Sequence, residues 1–205
     1  MDFAPHGQLI EWDEDEGKFF YTNPDAQDLS EEKLRKIFRQ CITGLHYCKI
    51  FFIFQSNCLF QVHVNRIIHR DIKPQNILFD DDDTPKLADF GQSELFDRED
   101  QLKSTEGTYW FMSPEMLDAA NSSIEGKPTD VWSLGVTFYA FIFLRVPFYG
   151  TNLLEIIENI KLQDLSFPED KEISQGLKNL LTKMIDKNPK TRVTIEYFYF
   201  YDISI

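Results

Sequence analysis

The chain has 205 residues, carries a formal net charge of −13, and is 42% hydrophobic and 15% aromatic, enough apolar matter for one sizeable core. A carboxylate excess of this size repels backbone phosphate, which excludes nucleic acid and anionic membrane surfaces as general partners. The three cysteines, Cys41, Cys48 and Cys58, are odd in number and lack metal-ligand spacing, and the chain opens without a basic or apolar signal segment, so a reducing, cytoplasmic interior is the simpler expectation.

Residues 2–8 read as a short extended segment broken by Pro5 and Gly7, and the acidic run 11–16 around Trp12 reads as a solvated face. Ser30 is suited to cap a helix, Glu31 and Glu32 suit its positive end, and Leu34, Ile37, Phe38, Cys41, Ile42 and Leu45 recur at helical spacing. An amphipathic helix is expected over 30–47. Residues 48–61 interrupt it: 50–54 are apolar on every side, Gln55, Ser56 and Asn57 break a long helix, and the run is too short for a bilayer, which needs about 20 apolar residues. Residues 44–47 join naturally to 62–69, so the insert reads as foreign to the fold. Either it is unspliced sequence or it is a hydrophobic loop that docks a partner.

His69, Arg70, Asp71, Lys73 and Asn76 form one tight motif, and Asp89-Phe90-Gly91 follows thirteen residues after Asn76. A carboxylate, a cation two residues on, an amide five residues on and a second carboxylate beside glycine can gather around one metal-bound triphosphate. Asp71 would accept a hydrogen bond from an attacking hydroxyl, and Lys73 would neutralise the phosphoryl group in flight. Asn76 and Asp89 are hard oxygen donors suited to Mg²⁺. Residues 77–79 and 86–88 read as two strands joined by an acidic turn; its four consecutive Asp lack the spacing of a calcium loop. The fourteen uncharged residues 131–144 predict a buried helix, and amphipathic helices follow over 151–161 and 173–187, the second stopped by Asn188-Pro189.

The motif at 69–76, Asp89-Phe90-Gly91, Gly107-Thr108, Phe111-Met112-Ser113-Pro114-Glu115, Asp130-Val131-Trp132-Ser133-Leu134-Gly135 and Asp186-Lys187-Asn188-Pro189 with Arg192 stand in order along the chain. In that order they resemble the hinge and C-terminal lobe of a serine/threonine protein kinase. Within kinases the chain is similar to the calcium/calmodulin-dependent kinase kinases and related activators of AMP-activated kinase. The resemblance implies a mainly α fold, a helical C-terminal lobe with a short β-hairpin at the active site and the N-terminal lobe missing. Residues 1–196 would be a partial kinase domain with an atypical insert at 48–61, and residues 197–205 an atypical tail.

The same resemblance assigns roles. Asp71 would be the catalytic base, Lys73 the phosphate-facing lysine, and Thr108 the threonine that bridges them. Asn76 and Asp89 would hold Mg²⁺; Asp2 and Ala4 would give hinge backbone bonds to ATP, and Leu78 the floor under adenine. His69, Arg70, Glu115, Asp130 and Arg192 would be structural, Asp130 binding the catalytic loop and Glu115 pairing with Arg192. Ser104 and Thr105 are candidate phosphorylation sites facing Arg70, although Glu106 and the acidic residues 94–100 offer negative charge without phosphate. Partners implied are a protein substrate, extending to another kinase's activation loop, and calmodulin for a longer chain, with no segment here to bind it. Tyr109, Trp110 and Ser113 depart from the family pattern, and neither a glycine-rich phosphate loop nor the strand lysine of that family is read in the sequence. The expectation is therefore a kinase whose 205 residues alone turn over weakly or not at all, the alternative being a catalytically silent binding or scaffold module.

Overall fold

The computed structural model describes residues 4–23, 29–55, 69–89, 106–118, 126–195 and 197. Strands β1 (Gly7–Gln8), β2 (Ile10–Asp13) and β3 (Lys18–Tyr21) come first, then helix α1 (Glu31–Gln55), strands β4 (Ile77–Phe79) and β5 (Pro85–Leu87), and helices α2 (Gly126–Phe143), α3 (Leu153–Leu162) and α4 (Gln175–Met184). Short 3-10 turns occupy Pro74–Asn76 and Glu106–Phe111.

The expectation of a mainly α chain whose β structure is one hairpin, with the N-terminal lobe missing, is corrected at the N-terminal end. Three strands precede the first helix, and β1 joins β4 and β5 in one antiparallel sheet of order β1-β4-β5, with Gly7 opposite Phe79 and Gln8 opposite Leu78. β2 and β3 form a separate hairpin, paired from Ile10 opposite Tyr21 to Asp13 opposite Lys18. The acidic run is thus strand and turn rather than a plain solvated face. The Asp13 carboxylate accepts the N–H groups of Asp15 (2.9 Å) and Glu16 (3.0 Å), which closes the turn, and Gly17 takes the left-handed φ of 63° that a side chain would resist. Ile10 and Phe19 face inward and are fully buried. The hairpin is tied to the end of α2 by the Phe19 N–H on the Leu144 carbonyl (2.9 Å) and the Tyr21 hydroxyl on the Phe141 carbonyl (2.8 Å).

α1 starts as expected: the Ser30 hydroxyl accepts the Lys33 N–H at 3.3 Å, and Leu34, Ile37, Phe38, Cys41 and Ile42 are buried. Phe38 meets Phe138 of α2 edge to face with ring centres 5.0 Å apart. The helix then differs from the expected end at 47 and continues through residues 48–55, a stretch that holds neither glycine nor proline. The remainder of the insert, residues 56–61, and residues 198–205 of the tail lie outside the described residues.

α2 is buried from Thr129 to Phe143, in keeping with the buried helix predicted from the uncharged residues 131–144. It crosses α4 closely at Gly135, where an added Cβ would lie 2.9 Å from the Met184 Cβ and 3.0 Å from the Ile185 side chain. α4 is capped by the Ser174 hydroxyl on the Leu177 N–H (3.2 Å) and buries Leu177, Leu180, Leu181 and Met184, the face read from the sequence. Among the described residues no helix is long and apolar enough to cross a membrane.

Gly135→Ala is expected to push α2 and α4 apart and destabilise the chain by about 1–3 kcal/mol, the range for overpacking a filled core. Chemical denaturation of the two proteins measures it; equal midpoints would show that the crossing yields without cost.

Candidate active site

The site begins at one carboxylate on α2. Asp130 accepts the backbone N–H of His69 at its Oδ2 (2.8 Å) and that of Arg70 at its Oδ1 (2.8 Å), which pins the loop bearing Asp71 to the buried helix. Arg70 takes φ of 63°, a left-handed conformation that a non-glycine residue holds only when its surroundings enforce it. The side chain of His69 is buried, and its Nε2 lies 3.1 Å from the Ala88 carbonyl, so that ring nitrogen carries the proton and donates. Burial holds the imidazole below its ordinary pKa, keeping it neutral.

Next along the chain the Asp71 carboxylate meets the Lys73 ammonium at 2.9 Å and the Asn76 amide nitrogen at 2.9 Å, both on Oδ2. The same amide nitrogen donates to the Asp71 carbonyl at 2.8 Å. Since its nitrogen is spent on Asp71, Asn76 keeps its amide oxygen for another contact. Pro74 opens the 3-10 turn that folds Asn76 back toward Asp71, and the Ile77 N–H closes it on the Pro74 carbonyl. The β4–β5 ladder is prolonged by the Ala88 N–H on the Asn76 carbonyl (2.8 Å), which sets Asp89 beside Asn76. Asp89 is exposed and also left-handed, with φ of 59°. Two residues with hard oxygen donors, Asn76 and Asp89, thus stand on neighbouring chain segments next to a carboxylate already paired with a lysine. Such a donor pair suits a divalent cation that keeps most of its waters, and among the described residues there is no cluster of three or more acidic, His or Cys groups that would enclose it.

Leu78 is half-buried on β4 opposite Gln8, and the preceding segment continues alongside through the His6 N–H on the Phe79 carbonyl (3.2 Å). Ala4 accordingly lies near the edge of this sheet, its carbonyl taken by the Gly7 N–H at 3.2 Å. Asp2, Phe90, Gly91, Ser104 and Thr105 lie outside the described residues, and Thr108 is described in its backbone alone, within the Glu106–Phe111 turn.

That turn is anchored from below. The Ser133 hydroxyl donates to the Phe111 carbonyl at 2.8 Å, and the buried Glu115 carboxylate receives a two-pronged contact from Arg192, at 2.6 Å and 3.0 Å. Arg192 also donates to the Pro128 and Asp186 carbonyls, each at 2.8 Å, and stands over the Trp132 ring. With its fork fully used, this buried guanidinium meets the condition under which a buried ion pair is tolerated. What sequence reasoning missed is Trp12: its ring lies 4.5 Å from that of Trp110 and 5.0 Å from that of Phe19. The only signal was the unusual Trp110 itself.

Arg192→Ala would leave Glu115 charged and buried, so a loss of about 3–5 kcal/mol is expected in denaturant unfolding; a loss below 1 kcal/mol would mean that water reaches the pair. Asp130 yields a pH prediction. Burial pushes its carboxyl up to about 7, against the opposing pull of the two N–H donors. In an unfolded chain the group titrates near about 4, so the folded state holds the extra proton between the two values, and its stabilising contribution is lost as pH rises from about 4 to about 7. Stability of the wild type relative to Asp130→Asn should fall across that window; a flat difference would contradict the burial argument.

The whole chain except its last six residues, 1–199, matches the family model described as the protein kinase domain. The opening strands fall inside that match, and the expectation of a missing N-terminal lobe does not stand. The serine/threonine-protein kinase ppk34 of Schizosaccharomyces pombe is 38% identical over 165 residues, 80% of this chain and 42% of the relative. The calcium/calmodulin-dependent protein kinase kinase of Caenorhabditis elegans is 36% identical over 174 residues (84% and 30%), and CBL-interacting protein kinase 11 of Oryza sativa is 32% identical over 198 residues (95% and 34%). The chain spans less than half the length of these relatives. From this match, and from relatives that are serine/threonine kinases, the chain belongs to the protein kinase family.

Proposed function

We propose that the protein transfers the γ-phosphate of ATP to serine or threonine hydroxyls of protein substrates. The observation that carries this reading is the meeting of Asp71, Lys73 and Asn76 with Asp89 set beside them. Asp71 would orient the substrate hydroxyl and accept its proton, and Lys73, 2.9 Å away, would balance charge on the moving phosphoryl group. Asn76 and Asp89 would hold Mg²⁺, which when bound neutralises the phosphate oxygens. Ala4 and Leu78 would line the adenine side, together with Asp2. Thr108 would bridge Asp71 and Lys73, and Ser104 and Thr105 would be the regulatory hydroxyls near Arg70.

The finer likeness to calcium/calmodulin-dependent kinase kinases rests on one relative among several of comparable identity. Another kinase's activation loop as substrate, and calmodulin as a partner of a longer chain, belong to that finer reading. We place the protein in the cytoplasm, where the buried thiol Cys41 stays reduced. The expectation of weak or absent turnover was built on a missing N-terminal lobe and loses its premise with it.

Asp71→Asn should reduce phosphate transfer by about 10²–10⁴-fold, the worth of one general base, with nucleotide binding retained. Asp89→Asn should weaken Mg²⁺-dependent nucleotide binding as well. Transfer measured with Mg²⁺-ATP and an arrayed serine/threonine peptide library, beside binding of a fluorescent nucleotide, decides between the readings. Nucleotide binding without transfer in the wild type would favour the silent scaffold module, and unaltered turnover in Asp71→Asn would refute the assigned base.

A further inference from the structure

The 106–111 turn and the catalytic loop hang from the same helix. Asp130, which holds the N–H groups of His69 and Arg70, and Ser133, which holds the Phe111 carbonyl, stand three residues apart on α2, hence on one face and within one turn of each other. The turn and the Asp71 loop are therefore anchored side by side on α2, and on the kinase reading a substrate chain bound for Asp71 would run past the turn. Its lower edge is fixed by Ser133 and by the Glu115–Arg192 pair. Its upper edge is fixed differently, through Trp110.

Trp110 is nine-tenths buried, yet its indole N–H has no hydrogen-bond partner among the described residues. Nothing directional holds the ring; it is held by neighbouring rings. Trp12 lies against it at 4.5 Å and Tyr149 at 6.0 Å. Trp12 belongs to β2, which packs against the Pro74–Asn76 turn that folds Asn76 onto Asp71. β2 thus packs on the turn that carries Asn76, and through the ring of Trp12 it meets the 106–111 turn. The nucleotide-side elements, β1 and β4, are in the other sheet.

We infer that Trp12 is a positioning residue for the protein substrate, spacing the 106–111 turn from the Asp71 loop through its tilted ring contact with Trp110. It rests on the kinase reading above. Trp12 touches no reacting group; it acts through Trp110, and its removal frees the upper edge of the substrate path while leaving the Asp71, Lys73 and Asn76 contacts intact.

The test uses the full chain with Mg²⁺-ATP and the peptide best phosphorylated from an arrayed serine/threonine library. Trp12→Ala should raise the KM for that peptide by roughly two- to tenfold, the range of one aromatic pair, with kcat and the KM for ATP unchanged. Trp12→Phe, which keeps a ring on Trp110, should restore the peptide KM. Circular dichroism of the wild type should carry the exciton signal of two adjacent, mutually tilted indoles, absent from both variants. A peptide KM that does not move in Trp12→Ala, or a wild type lacking the exciton signal, overturns the inference and leaves the kinase reading standing. Equal changes in kcat and in both KM values would mean general loosening and would also overturn it. A wild type that phosphorylates no peptide sinks the kinase reading, and this inference with it.

Discussion

Two successive backbone N–H groups ending on the single carboxylate of Asp130 are the constraint from which the site is built. Neighbouring N–H groups in extended or helical chain do not converge on one acceptor. They do so here because Arg70 is left-handed, at a cost of order 1–3 kcal/mol for a non-glycine residue. Two hydrogen bonds to a buried carboxyl, at about 0.5–1.5 kcal/mol each, offset much of it. The remaining contacts follow in series: the loop presents Asp71, Asp71 takes the Asn76 amide, Asn76 takes the Ala88 N–H, and His69 returns to the Ala88 carbonyl. The circuit closes on itself, so Asp89 inherits its place from Asp130, a residue 41 positions further along the chain.

The Glu115–Arg192 pair does for the 106–115 segment what Asp130 does for the loop, by a costlier route. Both charges are out of water, and their attraction alone would not repay that; the carbonyls of Pro128 and Asp186 and the Trp132 face complete the solvation of the guanidinium. The result is a segment fixed at three kinds of contact, an ion pair, a hydroxyl bond and an aromatic ring contact, each from a different part of the chain. That distribution makes its position sensitive to the packing of α2, α4 and the N-terminal hairpin together.

Much of this was legible in the sequence, for identifiable reasons. The apolar faces of α1 and α4 and the uncharged length of α2 are periodic signals, and they hold because burial dominates helix formation. The β4–β5 hairpin was legible from two short apolar runs around Asp80 to Thr84. The site residues were legible because their spacing is itself chemistry: Asp71, Lys73 and Asn76 reach one another only across a tight turn. The opening strands were not. β1 is two residues long, and β2 reads Glu-Trp-Asp after Ile10, so its inward face shows only in pairing with Phe19 and Tyr21. The extension of α1 through residues 48–55 escaped because an apolar run without turn residues is equally compatible with helix and with insert. The Trp12–Trp110 contact joins residues 98 positions apart, beyond any local signal.

On the proposed reading a chain of net charge −13 has to host a triphosphate, and the described residues suggest how that conflict would be met locally. Lys73 sits on the Asp71 carboxylate, so that group no longer presents a full negative charge to an incoming phosphate. Asp89, exposed at the mouth, is another matter, because a carboxylate beside a phosphate is tolerable only with a cation between them. Its neighbour Asn76 supplies a neutral oxygen rather than a second charge, which leaves the pair weak enough to share a divalent ion with phosphate instead of sequestering it. On that reading the arrangement would favour nucleotide arriving as its metal complex over bare nucleotide, through the choice of one amide where a second carboxylate would have fitted the same turn.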